Sequence, residues 1–157
     1  MFGIKRDLET EIMAHIEIYT DGACQGNPGP GGWGAMIYYP SGEVREISGG
    51  DQQTTNNRME MQAVISALIE VGKAEHIKLY SDSQYLLKGI TEWLPGWKRK
   101  NWKTAQGKPV KNKDLWQKVD DLQQSLNVDW IWVKGHSGNA KNEAVDALAR
   151  AAVGLGS

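Results

Sequence analysis

Polar and apolar positions along this 157-residue chain change period several times, and each change marks an element. Residues 15–20 alternate, with Ile16 and Ile18 on one side and Glu17 and Tyr19 on the other, the period of a strand. The stretch GACQGNPGPGGWG that follows is dense in Gly and Pro and reads as a turn-rich loop. It leads into a second strand over residues 35–39, a turn at Ser41-Gly42 and a third strand over 44–48. From Asn57 the period becomes helical: Met59, Ala63, Ala67 and Val71 recur at steps of four beside Val64 and Leu68, and the run stops at Gly72. Residues 76–80 read as a fourth strand, 82–92 as a short helix, 113–126 as a helix, 128–133 as a fifth strand and 139–153 as a last helix.

Short turns favour antiparallel pairing among strands one to three, whereas helical crossovers favour parallel pairing of strands four and five with strand one. The expected fold is therefore α/β: a five-stranded mixed sheet with helices on both faces. Residues 1–13, MFGIKRDLETEI and Met13, lack clear alternation and read as an optional leader, with Met13 a possible alternative start. Residues 14–157 then form a single domain without internal repeat or linker, a size that can bury one real core.

Composition narrows the class. A single cysteine, Cys24, excludes an internal disulfide, and there is neither an apolar run of membrane-spanning length nor a signal-peptide core, so the chain reads as soluble and cytoplasmic. The net charge of −1 conceals a lopsided distribution. Residues 88–113 carry eight basic side chains against one acid, Glu92, a segment of +7 on a body of −8. Such asymmetry suggests contact with a polyanion. A solvated loop would explain the charge alone, but Trp93, Trp97 and Trp102 are interleaved with it in WLPGWKRKNWK.

Four acids are the candidate chemistry, and each has an ordinary alternative. Asp21 precedes Gly22, a common turn pair; Glu60 lies three residues after Asn57, the spacing of a capping box. Asp82 stands where a helix N-cap would, and Asp146 is four residues before Arg150, the spacing of a surface ion pair. Their joint placement says more. If strands one and four are parallel neighbours, Asp21 and Asp82 emerge together at the carboxyl edge of the sheet, where open α/β sheets place ligands, and Glu60 at the start of the crossover helix approaches the same edge. Clustered carboxylates without a neutralising base call for a hard divalent cation, magnesium foremost. GPGGWG offers no competing nucleotide cradle, for it lacks both the GK[ST] ending and the GxGxxG spacing. Cys24 reads as a small residue beside the site with no catalytic role.

In order and spacing, TDGACQGNPGPGGWG, TTNNRMEMQAVISAL, YSDSQYLLKGI, WKTAQGKPVKNKDLW and WVKGHSGNAKNEAVDALA resemble the motifs of bacterial type 1 ribonuclease H, over residues 15–152. The resemblance implies a ribonuclease H-like fold and endonucleolytic hydrolysis of the RNA strand of RNA/DNA hybrids, leaving 5′-phosphate and 3′-hydroxyl ends. It implies two Mg2+ ions, with Mn2+ as a substitute, held by Asp21, Glu60, Asp82 and Asp146. His136 matches a loop histidine that moves a proton or aids product release. Asn27, Asn56 and Gln84 fall on the RNA strand, Thr55 and Asn112 on a DNA-strand phosphate, and Trp97 and Trp116 on the wall of the DNA channel. Residues 93–113 resemble a basic handle in which Lys98, Arg99 and Lys100 meet backbone phosphates, with Pro95 and Gly96 expected to break the helix that enters it. Trp130 and Trp132 are expected in the core. No obligate protein partner is implied, and a monomer is expected. A DNA nuclease or recombinase of the same fold, a noncatalytic hybrid-binding module and a phosphate-binding enzyme are the alternatives; they predict, respectively, loss of the joint motifs, loss of a carboxylate, and a glycine cradle.

Overall fold

The computed structural model describes residues 14–73, 76–135 and 138–155. The expected leader and His136 lie outside these residues. Five strands, β1 (Ile16–Cys24), β2 (Gly29–Tyr38), β3 (Val44–Thr54), β4 (Ile77–Ser81) and β5 (Val128–Trp132), form one sheet in the order β3-β2-β1-β4-β5. β1 is antiparallel to β2 and β2 to β3, whereas β4 is parallel to β1 and β5 to β4. The mixed sheet expected from the connections is the one observed. The helices are α1 (Asn56–Val71), α2 (Gln84–Lys88), α3 (Leu94–Arg99), α4 (Lys113–Gln124) and α5 (Ala140–Ala151). Among the described residues, no helix is long and apolar enough to cross a membrane.

The alternation in β1 divides the interior. Ile16 and Ile18 face the main core, which gathers Met61, Val64 and Leu68 of α1, Leu79 of β4, Leu86 of α2 and Trp116 of α4. Tyr19 faces the other side, where Met36 and Val145 of α5 form a smaller cluster and Tyr80 stacks on Tyr19 with ring centroids 4.5 Å apart. Lys141 of α5 closes that side, with Nζ 2.7 Å from Glu17 Oε1 and 4.3 Å from the Tyr38 ring centre.

The glycine-rich stretch departs from expectation. Only residues 25–28 connect strands; β1 continues to Cys24 and β2 begins at Gly29. Asp21 therefore lies within β1, opposite Gly34, and is not a turn residue. The glycines serve close packing. A Cβ at Gly32 would fall 2.5 Å from Val153 N and closer still to Ala149 O, so only glycine lets the end of α5 lie against the sheet.

The passage into the basic segment also differs. Pro95 and Gly96 do not break the helix: α2 passes through a π-helical turn, Gly89–Trp93, directly into α3. Pro95 is the second residue of α3, where its missing N–H is tolerated. Gly89 is buried, and a Cβ there would overlap the Trp116 ring, which fixes this turn tightly against α4.

Candidate active site

The register of β1 and β4 brings the acids together. The last pair is Tyr19 with Tyr80, and continuing both strands by two residues sets Asp21 beside Asp82 at the carboxyl edge. Glu60 arrives from α1. A Cβ on Gly22 would lie 2.5 Å from Glu60 N and 2.7 Å from Met59 C, so the bare glycine backbone lets α1 descend onto β1 next to Asp21.

The capping roles considered for Glu60 and Asp82 belong to other residues. Thr55 is the N-cap of α1, its Oγ1 accepting from Arg58 N at 3.3 Å, and the helix starts at Asn56, so Glu60 lies beyond the capping box. Ser83 caps α2, its Oγ accepting from Leu86 N at 3.1 Å. Both acids are thereby left without a helix-end function. Asp146 does make the expected pair, with Arg150 Nη2 3.0 Å from its Oδ2.

Carboxylate oxygens of Asp21, Glu60 and Asp82 all lie within 4.8 Å of one another. Asp146 lines the same 400 Å3 cavity, together with Asn56, Asn57, Gln84 and Tyr85, but stands outside that tight group. Asp21 and Glu60 are buried, at 4% exposure each. Burial, and then the charge of Asp82, push the Asp21 carboxyl up to about 7; burial and the charges of Asp21 and Asp82 push Glu60 well above its ordinary range. Burial raises Asp82 too, with Asp146 adding repulsion, while a hydrogen bond from Asn142 opposes the shift.

Glu60 Oε2 is buried and has no hydrogen-bond partner among the described residues. A buried, unpartnered carboxylate oxygen beside two further acids is costly unless a cation satisfies it. Three converging oxygens fit a hard divalent ion, so the donor set suits the metal that the sequence implied.

Beside the acids is a polar cluster that sequence reasoning only half found. Asn112, in the left-handed conformation at φ 59°, accepts from Arg58 Nη1 at 3.2 Å and donates to Tyr85 Oη at 3.0 Å. Trp116 Nε1 donates to the same phenol oxygen at 3.1 Å. Arg58 also pairs with Asp114 at 2.8 Å. Thr55 and Asn112 are thus linked through Arg58. One signal for Arg58 was present: a cation in the first turn of a helix is disfavoured by the dipole and needs an external partner. Tyr85 gave no such signal. Asn27 Oδ1 accepts from Asn56 N at 2.8 Å and so orders the start of α1.

Two tryptophan assignments change. Trp116 is fully buried and belongs to the core, not to a channel wall. Trp132, expected inside, is 49% exposed at the end of the edge strand β5. Trp97 is half-buried, with ring centroids 5.8 Å from Trp93, 6.3 Å from Trp102 and 5.4 Å from Trp116. Trp93 and Trp97 line a groove of about 370 Å3 with Lys100 and Lys103. Arg99 and Lys100 are exposed, whereas Lys98 Nζ is 3.1 Å from Oδ2 of the buried Asp120.

The sequence matches the RNase H family over residues 13–154. The chain belongs to the RNase H family. A "Ribonuclease H" of Cyanothece sp. is 63% identical over 86% of this chain and 87% of its own length, and one of Thiobacillus denitrificans is 56% identical over 88% and 93%. Among solved structures, LC9-RNase H1 is similar with a TM-score of 0.80 and 34% identity, over 90% of this chain and 72% of that one. LC11-RNase H1, solved in complex with an RNA/DNA hybrid, has a TM-score of 0.67 and 26% identity over 88% of this chain and 96% of its own. An RNase H is a metal-dependent hydrolase, and the three-carboxylate group of this member is the feature that suits such a role.

Proposed function

We propose that this RNase H cleaves the RNA strand of RNA/DNA hybrids endonucleolytically, leaving 5′-phosphate and 3′-hydroxyl ends. The observation that carries the chemistry is the group of Asp21, Glu60 and Asp82 oxygens within 4.8 Å of one another, with Glu60 Oε2 unpartnered among the described residues. Asp21, Glu60, Asp82 and Asp146 would hold two Mg2+ ions, for which Mn2+ substitutes. Bound there, the ions supply an activated water and a stabilised leaving oxygen for phosphodiester hydrolysis.

The protein's own part is to hold the substrate. Asn56 and Gln84 line the acid cavity with neutral amides, which can both donate to and accept from a ribose 2′-hydroxyl, the group that distinguishes RNA from DNA. Asn27 supports Asn56 from behind. Arg58, Thr55 and Asn112 form a site for a phosphate of the DNA strand, the guanidinium giving charge and the amide and hydroxyl giving direction. Trp97, with Trp93, forms the apolar side of the groove that the DNA strand follows, and Arg99 and Lys100 meet its phosphates. Lys98 serves that surface less directly, since it neutralises Asp120. His136, in the sequence motif KGHSGN, is the candidate for proton transfer or product release, since imidazole is the side chain whose unperturbed pKa lies nearest neutrality. The same reading takes residues 14–157 as one catalytic domain acting as a cytoplasmic monomer.

A strand-labelled assay with Mg2+ on RNA/DNA, RNA/RNA and DNA/DNA duplexes tests the proposal. Cleavage confined to the RNA strand of the hybrid is expected. Equal cleavage of RNA/RNA would overturn the substrate assignment.

A further inference from the structure

Trp132 is the one aromatic among the described large hydrophobic residues that stand exposed, the others being Val44, Ile69 and Leu155. It ends β5 paired with Ser81, the residue directly before Asp82, and Val133 N donates to Ser81 O at 2.9 Å. Trp130, two positions earlier and on the same face, packs against the main core, whereas the Trp132 indole projects past it. Leu87 and Lys88 of α2 line, with Trp132, a mostly apolar hollow of about 280 Å3. The fourth lining residue is Gln84, which also lines the acid cavity, so the two spaces share a wall. Lys88 is exposed and has an ammonium to offer at the rim.

An indole face with a cation at its edge is the pairing that holds an unpaired nucleotide: the base stacks and the phosphate meets the ammonium. A base inside a duplex already stacks on its neighbours and cannot use such a platform. From this we infer that Trp132, Leu87 and Lys88 form a subsite for an unpaired nucleotide of the single strand that continues out of the duplex held at the acid cavity. The inference rests on the proposed hybrid-cleaving function and extends it to substrates with single-stranded flanks. RNA and DNA tails share the base and the phosphate, so either can occupy the subsite.

The test compares a blunt RNA/DNA hybrid with the same hybrid carrying a short oligouridine or oligothymidine tail, at one ionic strength and with Mg2+. The parent protein is expected to show a lower KM for at least one tailed hybrid than for the blunt one, by about tenfold. Trp132→Ala should erase that advantage while leaving the blunt hybrid's kinetics unchanged; Trp132→Phe should keep most of it, and Lys88→Gln should reduce it and its salt dependence. Equal KM for blunt and tailed hybrids in the parent, or an advantage that survives Trp132→Ala, would overturn the subsite. Failure of the parent to cut the blunt hybrid would be a different result, for it would remove the functional reading itself.

Discussion

Asp21 concentrates the chemistry of the site in one residue. Its carboxyl is raised from an ordinary 3.8 to about 7 by burial and by Asp82, so the metal-free folded state binds a proton that the unfolded chain releases. A raised folded-state value stabilises the fold at low pH and loses that contribution as pH rises. The metal-free protein should accordingly lose stability between about pH 4 and pH 7, by a few kcal/mol at most for this group, which denaturant titrations in a chelator would measure. Asp21→Asn removes the charge and keeps the shape. It should make the metal-free protein more stable at pH 8 by roughly 1–4 kcal/mol while lowering cleavage at least about a hundredfold. A variant that is inactive but no more stable would show that the acid repulsion is relieved in some other way. All four acids were legible in the sequence as residues. Their local roles were not, because Thr55 and Ser83 take the caps that Glu60 and Asp82 were placed to fill.

Elements position what residues cannot. α1 reaches β1 only because Gly22 has no side chain, the virtual Cβ lying 2.5 Å from Glu60 N. Gly22→Ala should cost about 1–3 kcal/mol of stability and depress activity more than its distance from the substrate would suggest, since it displaces Glu60 from Asp21. Thermal melts and kcat would report both effects. The N-cap of α1 carries a double burden, for Thr55 both satisfies Arg58 N and belongs to the proposed phosphate site. Thr55→Ala should cost about 1 kcal/mol through the cap and raise KM, whereas Thr55→Ser should recover both. In the basic segment the useful distinction is between free and committed cations. Exchanging Arg99 and Lys100 for glutamine should raise KM and reduce the slope of log KM against log salt by about one for each phosphate that is no longer neutralised. Lys98→Gln should instead lower the melting temperature, because it leaves the buried Asp120 without its ammonium. The π-helical turn escaped prediction for a simple reason: Pro95 and Gly96 are poor helix residues taken alone, and only the packing of Gly89 on Trp116 makes the wide turn worthwhile.

At the scale of the whole molecule, an acidic body carries a basic outgrowth, and a cavity lined by carboxylates lies where the sheet opens. Divalent metal should raise the melting temperature by mass action, and more at pH 8 than at pH 5, where protons compete for the same oxygens; Asp21→Asn should abolish most of that gain. The sequence by itself determined the five strands and the mixed sheet and marked four acids as candidates, because period, turn chemistry and ordered motifs are local and survive in one dimension. The tertiary structure alone decided that the glycines of β2 are packing sites and not a loop, that Trp116 is buried while Trp132 is bare, and that Arg58 and Tyr85 join Asn112 in one cluster. Each of those outcomes depends on which distant backbone or side chain arrives next to a residue. No property of the residue or its neighbours in sequence encodes that. The acids show both sides: their types and spacing announce a cation, but only the parallel register of β1 with β4 and the approach of α1 at Gly22 bring three of them within one ion's reach.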